Sequence, residues 1–231
     1  MDTAEFDKFA EEYLADHADN IRISGETPDY FARYKIEEVR RRWERSGLAQ
    51  PKTILDFGAG IGNSWPYLAE LFPDAKIVGL DVSEKSLAIA ENRFPGIATA
   101  TQYDGEEMPF PKGSFDLVFS ACVFHHIPAD QHVRLFSQLR ETLTPDGRMA
   151  IFEHNPINPV TRYIVATCPF DENAVLIPAG ELKRRQTKAG FGKVDVTFTG
   201  FFPGPLAALR PLERYMAALP IGAQYYTFSR G

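Results

Sequence analysis

The sequence predicts an α/β protein: a three-layer sandwich in which a mostly parallel sheet of about seven strands is covered by helices on both faces. Two observations predict it. From residue 53 onward, short apolar runs alternate with amphipathic segments of helix length, the rhythm of strand–helix–strand units. Two of the runs, ILDF at 54–57 and FDLVFSA at 115–121, are almost continuously apolar, as strands buried on both faces must be.

The elements follow in order. Phe6, Phe9, Tyr13 and Leu14 recur at helical spacing, and residues 34–46 (YKIEEVRRRWERS) form a second helix that ends at Gly47. Then come a strand at 53–57, a helix at 63–71, a strand at 76–80 and a helix at 83–92 with Ser83 as its N-cap. A weaker strand at 98–103 precedes the strong one at 115–121. The amphipathic helix 129–143 closes in the turn Thr144-Pro145-Asp146-Gly147, before a strand at 148–152. Pro156 and Pro159 introduce a helix ending near Cys168-Pro169. The tail reads as a helix near 181–189, a strand near 193–198, a helix near 206–219 and a last strand near 223–228. The final two strands pair antiparallel at the sheet edge.

Composition narrows the function. Hydrophobic residues make up 44% of the 231, enough for a substantial core, and the net charge of −6 disfavours general binding to nucleic-acid backbones. Cys122 and Cys168 form no CxxC pair, so no disulfide scaffold is expected. The stretch MDTAEFDKFAEEYLADHADN has no apolar core of a secretory leader, and no run of apolar residues is long enough to span a bilayer. A soluble cytoplasmic protein is expected.

Chemistry gathers around the first strand. Gly58, Gly60 and Gly62 follow ILDF at alternate positions, where bare backbone can approach a ligand. A dinucleotide loop requires its third glycine three residues after the second, but that position is Asn63. Asp56, beside the loop, suits a cationic group better than a pyrophosphate. Asp81, at the end of the second strand, can accept from two ribose hydroxyls, and Asp104, after the third, from an adenine amine. Together they describe an adenosine joined to a cation without a pyrophosphate.

Residues 54–64 (ILDFGAGIGNS), 79–93 (GLDVSEKSLAIAENR), 103–127 (YDGEEMPFPKGSFDLVFSACVFHHI) and 139–154 (LRETLTPDGRMAIFEH) follow in order the motifs of the class I S-adenosylmethionine-dependent methyltransferases. The chain resembles that family over about residues 50–155. The resemblance implies a Rossmann-like sandwich with an antiparallel last strand, and S-adenosylmethionine as cofactor. It assigns Asp56 and the loop Gly58, Ala59, Gly60 and Gly62 to the methionine portion, and Asp81 with Val82 to the ribose. It assigns Asp104 with Gly105 to the adenine, and Ala121 with Cys122 to the sulfonium side. Phe57 stands where cysteine, isoleucine or valine is common in the family.

Other residues carry alternatives. Cys122, His125, His126 and His154 have the types of zinc ligands, but adjacent histidines rarely point the same way and no HxxxH or CxxC spacing supports them. No metal site is expected. One of His125 and His126 packs beside the cofactor and the other faces the acceptor pocket, so His126 and His154 are the candidate bases for a hydroxyl acceptor. The cluster Arg40, Arg41, Arg42 and Arg45 reads as a solvated helix face. The stripe Leu206, Leu209, Leu212, Tyr215, Met216 and Leu219 is expected to pack on the sheet, with a peripheral-membrane or homodimer contact as the alternative. The domain reading is a helical lid or cap at 1–50 and a methyltransferase domain at 51–231, its acceptor-side segment at about 154–180. The expected activity is O-methylation of a small-molecule or glycan/lipid-type acceptor. Its rivals are a catalytically silent cofactor-binding regulator and an NAD-dependent oxidoreductase.

Overall fold

The computed structural model describes residues 25–231; the expected helix at residues 6–14 lies outside them. Seven strands form one sheet: β1 (Thr53–Phe57), β2 (Lys76–Asp81), β3 (Ala98–Gln102), β4 (Phe115–Ala121), β5 (Leu143–His154), β6 (Lys193–Thr199) and β7 (Gln224–Arg230). Their order is β3-β2-β1-β4-β5-β7-β6, and β7 alone runs against its neighbours. Among the described residues no helix is long and apolar enough to cross a membrane.

Both faces of the sheet are buried, which is why β1 and β4 are so evenly apolar. On one face lie α1 (Pro28–Arg45), α2 (Trp65–Leu71) and α3 (Glu84–Arg93), whose Val39, Trp43, Trp65 and Leu87 pack with Ile54, Phe119 and Phe152. On the other lie α4 (His132–Thr142) and α6 (Ala179–Lys188), whose Phe136, Leu139 and Leu182 pack with Leu55, Val118 and Ile151. Strand alternation sends Leu55 and Phe57 to the second face and Ile54 to the first. Asp56 shares the parity of Ile54 and meets Trp65. Gly79, inside β2, leaves room for that indole, since a β-carbon there would stand 2.4 Å from it.

Local chemistry sets the helix ends. Thr27 caps α1 by accepting from the Tyr30 amide at 3.2 Å, and Pro28 opens its first turn, so the helix starts six residues before the expected position. Ser83 caps α3 as expected, accepting from Ser86 N at 3.0 Å. Three arginines of the cluster on α1 are engaged in ion pairs: Arg40 with Glu44, Arg41 with Glu38, and Arg42 with Asp195 on the edge strand.

Two expectations need correction. The turn at 144–147 does not separate α4 from a short strand; it lies within β5, where the pairing with β4 shifts register between Phe115 and Leu117. The helix expected at 206–219 is instead a kinked 3₁₀ segment (Gly204–Leu212) followed by the single turn α7 (Glu213–Met216). Pro211 interrupts α-helical hydrogen bonding, and the three-residue spacing of Leu206, Leu209 and Leu212 fits a 3₁₀ period. The stripe does not pack on the sheet: Leu206, Leu209, Leu212, Tyr215 and Leu219 are between 40% and 73% exposed. Polar contacts hold the segment instead, with Glu213 accepting from the Phe201 and Phe202 amides and from the Tyr34 hydroxyl.

Asp116 ties the amino ends of three strands together. Its carboxylate accepts from Lys52 N at 2.8 Å, Thr53 N at 3.2 Å and Thr144 Oγ1 at 3.0 Å. Asp116→Ala leaves these donors to water and is expected to cost about 2 kcal/mol. For a chain this long that lowers the thermal midpoint by about 4–8 °C, measurable by calorimetry; a shift below 1 °C would overturn the role given to this carboxylate.

Candidate functional site

The strand order reverses between β1 and β4, so the loops that leave their carboxyl ends diverge and open a crevice. The loop after β1 is held on both sides. Gly58 N and Ala59 N donate to the Leu80 carbonyl at 2.8 and 3.1 Å, and Gly60 N donates to Asp81 Oδ2 at 2.8 Å. The other oxygen of Asp81 accepts from Ser83 N at 2.9 Å, which links the carboxylate to the start of α3.

The three glycines serve different ends. Gly58 (φ +74°) abuts the loop after β4, where a β-carbon would stand 2.3 Å from Val123 Cγ2. Gly60 (φ +52°) faces open space. Gly62 packs on Trp65, Ala90 and Phe94 and is not part of the cavity wall, so its role here is to seat the loop on α3.

A cavity of about 570 Å³ fills the crevice, a size usual for small-ligand sites. Asp56, Gly58, Ala59, Gly60, Asp81 and Val82 line it, and so do Ala121, Cys122, His126 and His154. Asp104 and Gly105 are not brought to it. Oδ1 of Asp104 turns back to accept from Glu106 N at 2.8 Å and Glu107 N at 3.4 Å, capping its own turn, and Tyr103 lines the cavity instead.

Asp56 is 2% exposed, and its Oδ2 has no hydrogen-bond partner. Burial, then the charge of Asp81, pushes its pKa up to about 7, with the indole N–H of Trp65 opposing only in part. An orphaned buried carboxylate beside a bare backbone loop fits a ligand that brings its own positive charge.

The residues just past β4 and β5 meet. Cys122 takes a left-handed backbone (φ +59°), rare outside glycine, and its N–H donates to Phe152 O at 2.9 Å. The short 3₁₀ turn Phe124–His126 follows. His125 does not pack beside the loop. It is buried, with Nδ1 2.6 Å from Glu153 Oε2 and Nε2 3.4 Å from Asp171 Oδ1. Burial works against its charge, but the Glu153 carboxylate and then Asp171 hold it protonated, well above the ordinary range. The imidazolium in turn lowers both acids against the effect of burial, Asp171 to about 2.

His126 faces the cavity, as one of the pair was expected to. Burial, then the neighbouring His125 charge, lowers it to about 4, so it is a neutral imidazole at physiological pH. His154 sits beside the Cys122 thiol. Burial opposes charge on both, but the pair favours it: His154 is raised, and Cys122 falls to about 7. Asn155 is structural, donating to the carbonyls of Pro220 and Gly222.

Several wall residues carry no sequence motif. Tyr34 and Lys35 arrive from α1, Asp171 from the turn after α5 (Pro159–Thr167), and Arg210 from the 3₁₀ segment. Of the described residues, His125, His126 and Asp171 have donor atoms within 4.8 Å of one another, close enough to hold a metal ion.

Residues 54–147 match a methyltransferase-domain family. The chain is 31% identical over 159 residues to trans-aconitate 2-methyltransferase of Methylobacterium nodulans, covering 67% of this chain and 58% of that one. It is 34% identical over 127 residues to the enzyme of the same name from Acidovorax sp., covering 54% and 48%. The chain thus spans about half of the length of these relatives. Two solved structures share the fold. One is an S-adenosylmethionine-dependent methyltransferase from Mesorhizobium loti (TM-score 0.57, 22% identity, 81% of this chain and 95% of that one). The other is Haemonchus contortus phosphoethanolamine N-methyltransferase 2 in complex with S-adenosylmethionine (TM-score 0.57, 20% identity, 79% and 49%). The domain match covers the glycine loop and the strands around it, and the sheet closes with the antiparallel strand these motifs foretold: residues 54–147 are a methyltransferase domain, and the fold is that of the class I S-adenosylmethionine-dependent methyltransferases.

Proposed function

We propose that the protein transfers the methyl group of S-adenosylmethionine to an oxygen of a small organic acceptor. The observation that carries this reading is a single cavity lined by the glycine loop, by a buried carboxylate with an unpartnered oxygen and by the His126 and His154 imidazoles. In it, Asp56 and the backbone of Gly58, Ala59 and Gly60 hold the methionine portion, Asp81 and Val82 the ribose side, and Ala121 with Cys122 the wall beside the sulfur. Bound there, the cofactor supplies a methyl group already activated by a sulfonium. The chain's own work is then orientation, exclusion of water and, for a hydroxyl acceptor, removal of its proton. His126 is the base of choice, because it faces the cavity and is unprotonated from about pH 5 upward. A carboxylate acceptor needs no base. Support for a small acidic acceptor comes from the relatives named trans-aconitate 2-methyltransferase, aconitate being a small carboxylic acid.

Asp56 sets a pH signature. Its pKa of about 7 means that the ionised form, which attracts a cationic ligand, is gained as pH rises through 7 and lost below it. Affinity for S-adenosylhomocysteine, read by titration calorimetry with NAD as a control, is expected to rise about ten-fold from about pH 6 to about pH 8. Asp56→Asn abolishes that slope and weakens binding by about ten-fold or more at the upper pH. A flat wild-type profile, or binding of NAD in its place, would sink the assignment.

The glycines make a paired test. Gly58→Ala drives a methyl group into Val123 and is expected to cost about 2–3 kcal/mol of stability. Gly60→Ala meets no protein atom, so it costs about 1 kcal/mol for its backbone angle while projecting into the cavity and weakening cofactor binding at least ten-fold. Equal effects of the two on stability would contradict the separation drawn here.

Transfer itself is tested by a screen of small hydroxy and carboxylic acids, trans-aconitate among them, with radiolabelled methyl donor. With a hydroxyl acceptor, His126→Gln is expected to lower kcat by about 100-fold and His154→Gln by less. With a carboxylate acceptor, His126→Gln changes kcat by less than about three-fold. Tight cofactor binding without turnover on any acceptor would favour the silent regulator.

A further inference from the structure

Two lysine or arginine side chains line the cavity, and they differ in one respect. Arg210 is committed: it pairs with Glu26, donates to the Phe202 carbonyl at 3.2 Å and stacks on the Tyr30 ring at 4.5 Å. Lys35 is not. Half-buried on the cavity side of α1, it has no carboxylate within ion-pair distance among the described residues. The acids Glu153 and Asp171 are already taken, because both face the His125 imidazole at 2.6 and 3.4 Å. An ammonium group that is partly withdrawn from water, with no carboxylate at ion-pair distance among the described residues, is poised to accept one from a ligand.

We propose that Lys35, with His154 beside the Cys122 sulfur, forms an anion site that holds a carboxylate of the acceptor. All three residues line the cavity, and Lys35 and His154 both act on Cys122. Burial alone would raise the Cys122 pKa; His154 and then Lys35 bring it down instead, so their fields add at the sulfur. The inference deepens the function proposed above and rests on it for the meaning of "acceptor". Lys35 is a specificity-determining residue, and the ligand class it selects is a small organic acid over its neutral ester or amide.

Cys122 reports on this site without any knowledge of the natural acceptor. Iodoacetate and iodoacetamide both alkylate a thiolate by displacing iodide, and they differ in carrying a carboxylate or a neutral amide. The ratio of their rates cancels the thiolate fraction and leaves the preference for the anion. Rates at Cys122 are followed by peptide mass spectrometry, which separates it from Cys168, the second free cysteine. The wild type is expected to favour iodoacetate, and Lys35→Met to lower the iodoacetate/iodoacetamide ratio about ten-fold, with Lys35→Arg restoring most of it. Citrate is expected to protect the wild type from iodoacetate and not Lys35→Met. A ratio unchanged by Lys35→Met overturns the proposal, as does failure of both reagents to reach Cys122. Should the methionine variant unfold, Lys35→Gln, checked for an intact thermal transition, reads the same ratio. S-adenosylhomocysteine titration of the wild type reports separately on the cofactor, so loss of one reading does not remove the other.

Discussion

The architecture of the cavity depends on one contact, between the backbone at Gly58 and the side chain of Val123. The loops after β1 and β4 leave adjacent parallel strands in divergent directions, yet their first residues must stay packed. A β-carbon at position 58 would stand 2.3 Å from Val123, so the contact admits no side chain. Around it the ends of the central strands are joined. Gly58 and Ala59 bond to the last turn of β2 through Leu80, and Cys122 bonds to β5 through Phe152. The glycine loop and the histidine-bearing turn are therefore placed by the same set of strand ends, and neither can shift without the other.

Buried acids divide the cavity into two chemistries. Glu153 and Asp171 have a partner in His125, and the three keep their charges. Asp56 has no such partner, and burial drives it toward neutrality until something cationic arrives. One group is structural because its charge is met within the protein. The other is available because it is not. The cost of leaving Asp56 unmatched falls on folding, which is the usual trade between stability and a prepared binding site.

Much of the fold was legible in the sequence because it rests on short-range period. β1 and β4 coincide with their apolar runs, Ser83 caps α3, and the antiparallel pair closes the sheet as expected. The failures have local causes too. The turn at 144–147 carries strong turn residues, yet β4 and β5 absorb it as a register shift, because strand pairing on both sides outweighs the local signal. Leu206, Leu209 and Leu212 looked like a helical stripe for the sheet. Three-residue spacing and Pro211 favour a 3₁₀ segment, and its anchors are Arg210 and Glu213 rather than the leucines.

The candidate site divides along the same line. Asp56, the glycine loop and Asp81 sit at the ends of strands one helix apart, so a linear pattern of spacing was enough to find them. Asp104 was legible as an acid in the right place, but its orientation was not, since a turn two residues on claims its carboxylate. His125 and Glu153 lie 28 residues apart, and Asp171 is farther still; no period in one dimension connects them. Which histidine is locked as an imidazolium, which stays neutral, and which cation has no carboxylate beside it among the described residues are decided by packing. The sequence by itself determined the order of strands and helices and the glycine loop, because those follow from local repeat and from residues near in the chain. The tertiary structure alone decided the charge cluster of His125, Glu153 and Asp171, because its members meet only where β4 and β5 end side by side.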